Sequence, residues 1–140
     1  MAGVHFSFDN FTSLIQLNIG MSDRIDENRA ESFTILYCNF TDQPQEVITS
    51  SLEQVLRTSD AIVTHNGHYF FILPYTDKYG AVTVRNMFGE FFASDIPALE
   101  VSYPTDGESA RELLDEIQFC AAKTLDTDLI FLDPDKMKIL

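Results

Sequence analysis

Arg57 and Asp60, in Arg57-Thr58-Ser59-Asp60, set a guanidinium fork three residues ahead of a carboxylate. Such a fork donates paired hydrogen bonds to phosphate, and the carboxylate accepts from N–H groups. The same two residues also have a structural reading. Arg near a helix end offsets the helix dipole, and Asp commonly opens a strand after a turn. Further on, His65 and His68 flank Asn66-Gly67. Across a two-residue turn their rings can meet on one Zn²⁺ or Ni²⁺ if Asp60 or Asp77 comes close, or they can stand in solvent as ordinary turn residues. Tyr69, Phe70 and Phe71 follow, with Tyr75 beyond them. This aromatic run reads as core, or as a partner surface with an acidic rim suited to a basic protein. No Ser/His/Asp or Cys/His order suggests a nucleophilic hydrolase, and the six glycines form no phosphate loop. Asp126 with Asp128, and Asp133 with Asp135, read as solvated loop.

The elements that must position these residues follow from hydrophobic period and turn chemistry. Asp9–Ala30 has a loose helical pattern on Phe11, Leu14, Ile15, Ile19 and Ile25. Ser32–Phe40 is β-branched and aromatic, a buried strand. Asp42 and Pro44 open a helix that runs to Arg57 on Val47, Ile48, Leu52, Val55 and Leu56. Ala61–Thr64 and Tyr69–Leu73 are strands paired around Asn66-Gly67, since both central positions of a type I′ turn need φ > 0. Strand alternation sends Phe70 and Ile72 to one face, Tyr69 and Phe71 to the other. Asp77–Phe92 is a helix, Ala98–Ser102 a strand, Pro104–Gly107 a turn, Ser109–Lys123 a helix and Leu129–Leu132 a last short strand. The order predicts an α+β domain: a mixed sheet with helices against its faces.

Composition bounds the function classes. A chain of 140 residues, 45% hydrophobic with twelve Phe, supports one domain with a real core and excludes disorder. Net charge is −13, and between Ala30 and Asp77 the only cationic side chain is Arg57. Nucleic acid and anionic lipid are poor partners for such a surface. No apolar run approaches the roughly 18–20 residues that span a bilayer, which predicts no membrane insertion. No signal peptide is visible, and Cys38 and Cys120 read as buried thiols rather than a disulfide, so a cytoplasmic setting is expected.

Several segments in one order resemble the GGDEF (diguanylate cyclase) domain. Leu56-Arg57-x-x-Asp60 precedes the hairpin in the family's form. Asn66, Gly67, His68, Tyr69 and Phe70 occupy the five places of the signature Gly-Gly-Asp/Glu-Glu-Phe turn. Val101-Ser-Tyr-Pro-Thr-Asp-Gly-Glu looks like the family's strand and "YP-x-DG" turn, and Ala122-Lys123 like its closing Ala-Lys. The resemblance implies a nucleotidyl-cyclase-like α/β domain with a central mixed sheet of about five strands and the signature hairpin at 61–73. It implies a single degenerate domain over 1–140, with a helical N-terminal segment at 1–30 and a core at 31–132.

The departures from the family matter as much. Cyclisation needs metal ions to neutralise phosphates and activate a ribose hydroxyl, and Mg²⁺ wants carboxylate oxygens. His68 and Tyr69 stand at the acidic places, and Tyr37-Cys38-Asn39-Phe40 ends the first core strand without an acid. The helix and loop that read guanine in the family are missing between Phe40 and Asp42-Gln43-Pro44. The expectation is therefore no catalytic residue, no metal and no cofactor. It is a bacterial, catalytically inactive GGDEF-like signalling module that acts through a protein partner or self-association. In active relatives an RxxD at this spacing is the inhibitory site for cyclic dimeric GMP. The alternative implied is a cyclic di-GMP receptor that binds through Arg57 and Asp60, with Arg85 the nearest supporting cation.

Overall fold

The computed structural model describes residues 2–25 and 31–133. Its elements are β1 (Val4–Phe6), a 3₁₀ turn (Phe8–Asn10), α1 (Phe11–Ile25), β2 (Glu31–Asn39), α2 (Gln45–Val55), β3 (Ala61–His65), β4 (His68–Pro74), α3 (Lys78–Phe92), β5 (Ala98–Pro104), α4 (Ala110–Thr124) and a second 3₁₀ turn (Ile130–Leu132). The α+β expectation holds at this level: a mixed sheet of five strands lies among four helices, counted over the described residues.

The sheet order is β1-β3-β4-β2-β5. β2 lies between β4 and β5 and is antiparallel to both, β3 and β4 form the hairpin, and β1 joins β3 in parallel. From β2 to β5 the connectivity is βαββαβ, the split βαβ arrangement, which many functions share.

Both faces of the sheet are covered. Ile48, Leu52 and Leu56 after α2, with Ala81 and Phe88 of α3, pack on Leu36, Cys38, Ile62, Tyr69 and Phe71. Phe11 and Ile15 of α1, with Leu113 and Ile117 of α4, pack on Ile35, Tyr37, Val63, Phe70 and Val101. Central strands buried on both faces lose the apolar/polar alternation, and β2 is buried from Ser32 to Cys38. The helix starts use ordinary capping: Asp77 accepts from Gly80 N–H at 2.8 Å and Ser109 from Glu112 N–H at 3.1 Å.

Two expectations need correction. The segment 1–30 is not merely helical. Val4–Phe6 is a strand of the sheet, so the terminus around His5 is held by β3, while residues 26–30 lie outside the described part. Leu129–Leu132 is no strand. Leu132 N–H closes on Leu129 C=O at 3.0 Å and Asp133 N–H on Ile130 C=O at 3.0 Å. A four-residue apolar run cannot separate a strand from a buried turn by pattern alone. The sheet reaches five strands through β1 instead. No described helix is long and apolar enough to cross a membrane.

Candidate functional site

The hairpin turn forms as its residues dictate. Asn66 and Gly67 have φ of 51° and 85°, the left-handed pair a type I′ turn requires. The end of β2 closes over this turn. Phe40 N–H donates to the Gly67 carbonyl at 3.0 Å. A Cβ on Gly67 would stand 2.9 Å from Thr41 Cγ2. Thr41 is itself held, with its N–H and hydroxyl donating to Asn39 Oδ1 at 3.0 and 2.6 Å. Thr41 thus packs closely against this side of the turn at Gly67.

The side chains at the other signature places turn into the protein. Tyr69 is 6% exposed and packs on Phe40 with ring centres 5.1 Å apart. Phe70 lies in the opposite core, 5.0 Å from Phe11 and 5.3 Å from Tyr37. His68 Nδ1 meets the Tyr37 hydroxyl at 2.7 Å. Desolvation holds His68 below the ordinary imidazole range, and His65 pushes the same way. Burial drives the Tyr37 phenol far up. A protonated phenol and a neutral imidazole therefore share this hydrogen bond. Of the two readings of the aromatic run, core holds for Tyr69, Phe70 and Phe71 and the partner surface does not, because helices cover both faces of β4.

His65 and His68 do face each other across the hairpin. The His65 ring packs on both Phe8 and Phe131, with centroids at 4.6 and 4.3 Å, and those two rings also meet each other at 5.5 Å. The additional metal ligands considered for this pair are committed elsewhere. Asp60 is bound by Arg57, and Asp77 caps α3. Among the described residues no group of three His, Cys, Asp or Glu is placed to hold a metal ion.

Arg57 and Asp60 come together, and they come together with each other. Asp60 is 2% exposed. Its Oδ2 accepts Arg57 N–H at 2.8 Å and its Oδ1 accepts Arg57 Nη2 at 3.1 Å. The same Nη2 donates to Pro74 C=O and Thr76 Oγ1, both at 3.0 Å. The motif thus ties the α2–β3 loop to the end of β4. The Arg57 side chain remains 56% exposed. Arg85 does not join it. Arg85 Nη1 lies 3.1 Å from Glu100 Oε2, an ion pair that lacks hydrogen-bond alignment.

Sequence reasoning passed over two residues of this region. Tyr37 was read only as strand core, yet its hydroxyl fixes the signature histidine. Glu100 stands beside Leu36 on the face covered by α3, and burial raises its carboxyl against the pull of Arg85 and Lys78. The alternation Leu99, Val101, Tyr103 against Ala98, Glu100, Ser102 carried that signal, since it puts an acid on the inner face of a two-sided sheet. A hollow of about 830 Å³ opens near the end of α3, lined by Arg85, Asn86, Glu90, Ser94 and Asp95 among others. A scan of protein-family models and a search of curated proteins both find no match to this chain.

Proposed function

We propose that this chain is a catalytically inactive GGDEF-like signalling module that works through contact with another protein or with itself. The observation that carries this reading is the hairpin turn at Asn66–Phe70. It has the signature's position between two strands of a βαββαβ sheet, but it presents no carboxylate, and Thr41 fills the space over Gly67. Mg²⁺-dependent phosphoryl chemistry needs hard oxygen ligands beside the phosphates. Here His68 is spent on Tyr37, Tyr69 on the core, and the end of β2 offers Asn39 to Thr41. A bacterial cytoplasmic setting belongs to the same reading.

The receptor reading, with cyclic di-GMP on Arg57 and Asp60, has one observation in its favour: Arg57 is half exposed and bonds only through Nη2 among the described contacts. Against it, the Asp60 carboxylate that would accept from guanine is buried and taken by Arg57. The interaction reading is therefore the conclusion. Incubation with GTP and Mg²⁺ tests it. The expected result is no pyrophosphate and no dinucleotide above the blank, and a linear or cyclic dinucleotide would overturn it.

A further inference from the structure

Among the described residues one edge of the sheet is open. There β1 stands last in the order and pairs only with β3, Val4 opposite Ala61, His5 opposite Ile62 and Phe6 opposite Val63. Val4 N–H donates to the Asp60 carbonyl at 2.9 Å. In a parallel ladder the next residue then turns its N–H and C=O outward, so His5 presents both groups to the open edge. Val4-His5-Phe6 carries no Lys, Pro or bulge to protect this edge, and its one protection is its length of three residues.

The side chains continue the opening. Val4 and Phe6 share the α1 face of the sheet with Ala61 and Val63. Together with Leu14, Leu17 and Met21 of α1 they line a groove of about 290 Å³. Val4, Phe6, Leu17 and Met21 are 46, 38, 57 and 44% exposed, and they make up four of the nine large hydrophobic side chains exposed among the described residues.

Charge selects the occupant. From Ala2 to Ser22 the only ionised side chain is Asp9, in a chain of net charge −13. A basic partner is drawn to the acidic surface elsewhere and finds no counter-charge here. A second copy, repelled elsewhere, meets an almost uncharged strip that matches itself. We propose that β1 is the seam of a twofold homodimer. Two β1 strands pair antiparallel about an axis at His5, and each His5 N–H donates to the other's C=O. Directly opposed residues of an antiparallel pair exchange both bonds in this way. Val4 of one copy stands opposite Phe6 of the other, and Leu17 and Met21 of both helices close over the joint. This takes the interaction reading above and gives it a surface and a partner.

The test is light scattering on the purified chain from about 1 to about 100 μM, with two variants and one amide measurement. His5→Pro removes the outward N–H and costs no bond to β3, a placement that edge strands tolerate. Leu17→Glu puts a charge into the exposed apolar strip. The expected result is a concentration-dependent dimer for the native chain and monomers for both variants, each with a native-like thermal melt. A native chain that stays monomeric overturns the seam and leaves the inactive-module reading standing with a different partner. A dimer that survives His5→Pro, or an open-ended larger assembly, also overturns it. Should a variant fail to fold, hydrogen exchange at the His5 amide of the native chain decides: protection that rises with concentration is expected, and fast exchange in a confirmed dimer is contradictory. GTP turnover by an intact dimer would sink the inactive-module reading and spare the seam.

Discussion

The Tyr37 hydroxyl and His68 Nδ1 lie 2.7 Å apart, at the point where β2 meets the β3–β4 hairpin. Tyr37 is fully buried and stays protonated, and burial together with nearby His65 disfavours a charge on His68. A proton on His68 places a charge in a half-buried aromatic site already shared with His65. Because folding lowers the His68 pKa below its unfolded value of about 6.5, the unfolded chain binds the proton more tightly. The stability from this group is present above that pH and is lost as pH falls through the folded value. Thermal melts between pH 8 and 5, taken as about neutral to mildly acidic, should show Tm falling on the acid side. In His68→Gln that part of the fall should shrink, and an unchanged profile would contradict the role given to His68.

Asp60 should matter more to stability than its partner. Asp60→Ala leaves Arg57 N–H without its acceptor in a part-buried loop, at a cost of about 2–3 kcal/mol in urea unfolding. Asp60→Asn keeps one oxygen for that N–H and should cost less. Arg57→Ala removes an exposed guanidinium and should cost about 1 kcal/mol. A larger loss for Arg57→Ala than for Asp60→Ala would reverse this account of the motif.

The same geometry bears on the receptor reading. Calorimetric titration with cyclic di-GMP at micromolar protein should give no binding heat, because Asp60 is not available to guanine. Saturable heat that Arg57→Ala removes would establish the receptor instead.

An acid placed at Tyr69 should damage the fold before it adds any chemistry. Tyr69→Glu deletes an aromatic ring packed on Phe40 and buries a charge among Phe71, Phe88 and Leu36. The expected cost is about 3–5 kcal/mol, read as loss of the cooperative melt. A Tyr69→Glu protein as stable as the native chain would mean that this position is not core.

Much of the frame was legible because the local signals were strong. Asn66-Gly67 fixed the hairpin, since few other dipeptides accept two positive φ values in succession. The apolar spacing of α2, α3 and α4 placed those helices to within two or three residues, and Pro44, Asp77 and Ser109 marked their starts. β1 was hidden because three residues are too few for a period, and its pairing with β3 depends on contacts about 57 residues apart, as Val4 with Ala61 shows. The 129–132 run failed for the complementary reason, since its burial under α4 satisfies apolar residues in either conformation. At the candidate site the residue types were readable and their partners were not. Nothing in Arg57-x-x-Asp60 says that the two bond each other, and nothing near Gly67 in sequence names Thr41, which arrives from the end of another strand.

The filled turn can be watched directly. In ¹⁵N-labelled protein the amides of Gly67 and Thr41 report on the cradle between β2 and the hairpin. Adding GTP with Mg²⁺ should leave both signals in place up to millimolar nucleotide. Shifts at Gly67 and Thr41 that saturate, and that need Mg²⁺ as well as GTP, would contradict the proposal that this turn holds no metal–nucleotide complex.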